Sequence, residues 1–199
     1  MHLQNIYLKR KNEIASRLKE FKLVKGDDLF YELCFCILTP QTSGFRADEC
    51  IQELKRNNFL YTNYNPKNFL KKKIRFHNNK TDYLIKAKIN FLTIVNALNK
   101  LSSPEEKRLW LLKNVDGLGL KESAHYLRNV GHENLAILDR HILKNLKKHR
   151  VINELPKTLT KKRYLEIEKK FKNFSKKINI PMDHLDLLFW AEETGKVFK

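Results

Sequence analysis

Leu111-Leu112-Lys113-Asn114-Val115-Asp116-Gly117-Leu118-Gly119-Leu120-Lys121-Glu122-Ser123-Ala124 is the stretch from which the rest of the chain is read. A helical pattern stops near Asn114, a Gly-x-Gly turn follows, and a second helix is expected to begin near Leu120. Gly131 then stands where a helix C-terminus favours glycine. Glycine at 117 and 119 lets the turn reach positive φ and lets a phosphate approach the main chain. The amides of Gly117, Gly119 and the next first turn would point outward with the helix dipole behind them, an anion site made of backbone. Such a turn grips phosphate without reading sequence. An ordinary helical hairpin that binds nothing has the same need for glycine. Two further residues favour the anion reading. Lys121 follows Gly119 by two positions, and Ile137-Leu138-Asp139-Arg140-His141-Ile142-Leu143 puts an aspartate where another helix would begin.

Charge points the same way. Forty Lys and Arg against 22 Asp and Glu leave +18 over 199 residues. A charge of that size repels itself in the folded state and suits a polyanionic partner, nucleic acid first and an anionic membrane surface second. Solvated lysine-rich helix faces would give the same count. Cys34, Cys36 and Cys50 are odd in number and lack metal-site spacing, so reduced, buried thiols are expected rather than a disulfide framework or a zinc or iron–sulfur site. The N-terminal stretch soon meets Lys9-Arg10-Lys11. No signal-peptide core and no membrane-spanning run is read anywhere.

Apolar residues recur at helical spacing, as in Leu29, Leu33, Cys36 and Ile37, in Ile51 and Leu54, and in Tyr83, Leu84, Ala87, Phe91 and Ile94. Strand-like alternation is scarce, so an all-α chain of about ten helices is expected. Pro40, Pro66, Pro104, Pro156 and Pro181 mark breaks. Ser103 before Pro104 reads as an N-cap followed by proline at the first helical position. No repeat or linker divides the chain. It is read as one unit over 1–199, with the hairpin at 111–131. Two sub-lobes are possible within it, 27–100 and 1–26 with 101–199, with a cleft between them.

Val115-Asp116-Gly117-Leu118-Gly119-Leu120-Lys121, followed by Leu138-Asp139-Arg140-His141 with the aspartate 18 positions after the lysine, resembles the helix-hairpin-helix DNA glycosylase superfamily. The lysine is similar to that of its bifunctional branch. Phe35-Cys36-Ile37-Leu38-Thr39-Pro40-Gln41-Thr42 and the ending Thr194-Gly195-Lys196-Val197-Phe198-Lys199 resemble the short 8-oxoguanine DNA glycosylase/lyases of archaea and some bacteria. The likeness covers essentially the whole chain. Asp116 departs from it, since the superfamily hairpin usually has proline there.

The resemblance implies a two-lobed, all-α helix-hairpin-helix glycosylase fold. It also implies a monomer acting on double-stranded DNA that contains 8-oxoguanine, in the cytoplasm of a prokaryote and at its nucleoid. Lys121 would be the nucleophile, although by type it is also one surface lysine among many. Asp139 would be the essential carboxylate and, on its position alone, an N-cap; the two roles are compatible. Gln41 would fill the gap left by a flipped base and Arg46 would read the opposite cytosine. The other reading of Gln41 and Thr42 is that they cap a helix. Gly117, Gly119, Glu122 and His141 would complete the DNA contacts, though a lone histidine is commonly structural. Trp190 would stack on the extruded base, though a tryptophan among Leu185, Leu187 and Leu188 is also a core pattern. Lys199 would recognise 8-oxoguanine. No cofactor is implied. The carbonyls of Lys113, Val115 and Leu118 would hold a monovalent cation, and the four C-terminal cysteines of an iron–sulfur relative are missing. Two other readings of the same features are a glycosylase for oxidised pyrimidines and a DNA-binding module without catalysis.

Overall fold

The computed structural model describes residues 2–199, and among them the chain is all-α. Eleven helices follow one another: α1 (His2–Lys22), α2 (Asp27–Leu38), α3 (Gly44–Arg56), α4 (Lys67–Lys73), α5 (His77–Ile89), α6 (Phe91–Asn99), α7 (Pro104–Asn114), α8 (Leu120–Asn129), α9 (Arg140–Lys148), α10 (Lys161–Lys177) and α11 (Met182–Thr194). The starts of α3, α7, α9 and α10 are set by short polar side chains that satisfy first-turn amides. Ser103 accepts from Glu106 N while the Glu106 carboxylate accepts from Ser103 N, a reciprocal capping box with Pro104 just inside. Ser43, Asp139 and Thr160 cap α3, α9 and α10.

The chain divides into two compact units, residues 24–126 and the N-terminal segment to Leu23 with 127–199. The boundary falls inside α8, not near residue 100. Residues 101–126, with α7, the hairpin turn and the first part of α8, therefore belong with the internal unit rather than with the terminal segments.

In the internal unit α2 packs against α3 and α5, and α4 against α3 and α5. α2 is apolar around most of its circumference, so it needs cover on several sides. Phe30, Leu33, Phe35, Ile37 and Leu38 are fully buried, and Phe30 meets the rings of Phe59 and Phe91. Cys34, Cys36 and Cys50 are buried thiols outside any disulfide. Burial pushes the Cys50 thiol up to about 11, so it is a packing group rather than a nucleophile.

In the other unit α11 packs against α1, α9 and α10. Leu185, Leu187, Leu188 and Phe189 are its buried face. Arg128, at the end of α8, is buried here. Its guanidinium lies 2.9 Å from Asp186 and 5.0 Å from the centre of the Phe21 ring, and its Nε donates to Asn129. A charge removed from water persists only when so paired.

Gly131 closes α8 with φ +89, its amide donating to Arg128 O while His132 N reaches Leu127 O. A Cβ there would lie 2.9 Å from Lys22 Cα, main chain that cannot swing aside. Gly131→Ala is therefore expected to cost about 1–3 kcal/mol, read as a lowered urea midpoint with an unchanged m-value. An unchanged midpoint would contradict the close approach.

Candidate active site

The hairpin takes the form expected: α7 ends at Asn114, α8 starts at Leu120, and the turn between them carries both glycines. Gly117 has φ +85, and a Cβ on it would sit 2.6 Å from the Tyr83 ring of α5. Only glycine lets the turn close onto α5. Asp116, in the usual proline position, pairs with Lys86 of α5 at 2.6 Å, so an exposed ion pair braces the turn from the same helix.

Gly119 differs from expectation. Its φ is not positive. A side chain there would come within 2.9 Å of the Glu122 carboxylate. The Gly119 amide donates to Glu122 Oε2 at 3.1 Å, and Glu122 Oε1 lies 3.2 Å from Lys121 Nζ. One outward amide of the turn is thus already satisfied by an anion, and that anion touches the adjacent ammonium. Lys121 itself is largely shielded, with its side chain 22% exposed.

In the same unit the turn between α2 and α3 carries Gln41, exposed and left-handed at φ +54. The N-cap of α3 is Ser43, which accepts from Arg46 N at 3.3 Å. The capping alternative for Gln41 and Thr42 is therefore not what this turn does. The Arg46 side chain is exposed. Phe76, before α5, is another non-glycine residue at positive φ (+57), and it is 56% exposed. Nothing in the sequence around it singled it out.

Asp139, His141, Trp190 and Lys199 belong to the other unit. Asp139 Oδ1 accepts from His141 N and Ile142 N, both at 2.8 Å, and so caps α9. The extended segment before it is clamped by α10. Tyr164 donates its hydroxyl to Ala136 O and accepts from Leu138 N, and Glu168 accepts from Ala136 N at 2.9 Å. His141 Nδ1 lies 3.4 Å from the Glu193 carboxylate of α11, with Arg140 Nε 3.2 Å from its other ring nitrogen. Trp190 is one helical turn before Glu193 and half-buried. Gly195, at φ +84, turns the chain back so that Phe198 stacks on Trp190 at 5.9 Å between ring centres. The start of α9, the last turn of α11 and the tail bearing Lys199 are gathered by these contacts.

The chain as a whole is similar to known proteins in sequence and in fold. The family model for 8-oxoguanine DNA glycosylase matches residues 14–180. The chain belongs to that family. A protein of Fusobacterium nucleatum described as 8-oxoguanine DNA glycosylase/AP lyase is 43% identical over 209 residues, covering 99% of this chain and 96% of that one. The crystal structure of Methanocaldococcus jannaschii 8-oxoguanine glycosylase/lyase in complex with a 15-mer DNA containing 8-oxoguanine superposes with a TM-score of 0.89. Identity to it is 33%, with all of both chains covered. The 8-oxoguanine DNA glycosylase of Thermotoga maritima superposes with a TM-score of 0.86 at 31% identity, covering all of this chain and 97% of that one. The fold is thus the helix-hairpin-helix glycosylase fold of this family.

Among the described residues no group of three or more His, Cys, Asp or Glu could hold a metal ion, and no helix is long and apolar enough to cross a membrane. The clamp on the segment before Asp139 was not legible, because Tyr164 and Glu168 lie 25 or more residues further along the chain. Tyr164→Phe removes one buried donor and one acceptor together, leaving Ala136 O and Leu138 N without that partner. A loss of about 1–3 kcal/mol in urea unfolding is expected, and an unchanged midpoint would show that the clamp carries no load.

Proposed function

We propose that this chain is a DNA-repair glycosylase and lyase that excises 8-oxoguanine from double-stranded DNA and then cuts the strand. The observation that carries the reading is Lys121, shielded on the first turn of α8 directly behind a turn whose backbone suits phosphate. The relatives described as 8-oxoguanine DNA glycosylase/AP lyase are named for the same two reactions.

The chemistry follows from those residues. Duplex DNA buries the target bond, so the nucleotide must leave the stack. Gln41 fills the vacated space, Arg46 holds the opposite cytosine, and the hairpin amides with His141 grip phosphates. The neutral amine of Lys121 attacks C1′, and the N-glycosidic bond breaks with its electron pair leaving on the base, which takes up a proton. The sugar ring opens to a protonated imine on Nζ. Loss of a C2′ proton then expels the 3′ phosphate and nicks the strand. Before attack the lysine must release Glu122 and its proton; a phosphate arriving at the Gly119 amide displaces that carboxylate from the hairpin. Asp139 opposes the positive charge that builds on the sugar. Trp190 offers a face to the extruded base and Lys199 distinguishes the oxidised guanine.

No cofactor takes part. The carbonyls of Lys113 and Val115 end α7, where carbonyls lack intrahelical donors, and Leu118 adds a third in the turn. Such hard oxygen donors fit a monovalent cation, which would supply positive charge toward a phosphate. The chain works on DNA as a monomer, in the cytoplasm and at the nucleoid.

Two experiments test this. Duplexes with 8-oxoguanine opposite cytosine should be cut, and duplexes with an oxidised pyrimidine should not; the reverse result would transfer the chain to the pyrimidine enzymes. Asp139→Asn keeps a side-chain oxygen for the α9 cap but removes the charge. Excision should fall by roughly 10²–10³ with little change in thermal midpoint, and full activity would remove Asp139 from the mechanism.

A further inference from the structure

Lys80, in the first half of α5, is 4% exposed. Its ammonium donates to Leu38 O at 2.8 Å, Pro40 O at 2.7 Å and Thr42 Oγ1 at 2.9 Å. All three acceptors lie in the turn that leaves α2 and enters α3. An ammonium has three donors, and here each has an acceptor. Burial lowers its pKa to about 8, with Lys121 repelling it and Cys50 opposing the fall. At neutral pH the three-donor form prevails. A buried charge is costly, and an apolar side chain of this length would fill the space without desolvating one. The feature that needs the charge is the turn itself. Gln41 stands at its exposed tip in a left-handed conformation that a non-glycine residue enters at a cost of about 1–2 kcal/mol.

We propose that Lys80 is a positioning residue for base extrusion, its ammonium tying Leu38, Pro40 and Thr42 into one shape so that Gln41 is held outward to fill the gap in the duplex. This rests on Gln41 being the plug. Lys80 touches neither base nor sugar. It removes conformations that the turn would otherwise lose on entering the helix stack, which makes insertion cheaper. The effect is confined to substrates whose base must be extruded.

The test compares two rates of borohydride-trappable complex for the full chain. One uses an 8-oxoguanine:cytosine duplex and the other a single-stranded oligonucleotide with an abasic site, where nothing is stacked. Lys80→Met should lower the duplex-to-single-strand ratio by about ten- to a hundred-fold. Thr42→Val, which removes one acceptor, should lower it less, and it serves if Lys80→Met does not fold. Gln41→Ala should lower the ratio too, and adding Lys80→Met to it should lower it no further. Equal losses on both substrates, or additive losses in the double variant, overturn the proposal. Gln41→Ala with the wild-type ratio overturns the plug reading instead.

Discussion

The turn between α7 and α8 can lie against α5 only because Gly117 has no side chain to meet Tyr83. That close approach fixes where the first turn of α8 begins, and with it the position of Lys121. The first N–H groups of α8 have no acceptor within their own helix. In the described state a carboxylate from the same helix, Glu122, satisfies the Gly119 amide and contacts the lysine as well. The hairpin therefore carries a built-in anion, with which a phosphate in the proposed mode of binding would compete.

The second unit solves a different problem. Asp139 is held at the start of a helix. Its Oδ1 is committed to two amides of α9, and the segment before it is pinned by Tyr164 and Glu168. Both candidate catalytic residues thus sit at helix starts. Helix N-termini favour anions and disfavour cations.

Much of this was legible from local chemistry. Ser103 with Pro104 and Glu106, Asp139 before Arg140, and the hairpin bounds at Asn114 and Leu120 depend on residues within a few positions, and each falls where its pattern placed it. What could not be read depends on distance along the chain. Lys80 is one lysine among many until a turn 38–42 residues away folds onto it. The unit boundary inside α8 has no marker in composition. At Gly119 the sequence shows a missing side chain but not the backbone angle, and its φ is not positive. Roles on DNA came from family likeness, since nothing local separates a stacking Trp190 from a packing one.

The account centres on one covalent bond, so the most direct measurement is borohydride reduction during the reaction with an 8-oxoguanine duplex, followed by peptide mapping of the adduct. The account predicts a single modified peptide bearing the sugar on Lys121, and no adduct from Lys121→Gln. An adduct on another amine, Lys80 included, or undiminished trapping by Lys121→Gln, would contradict it.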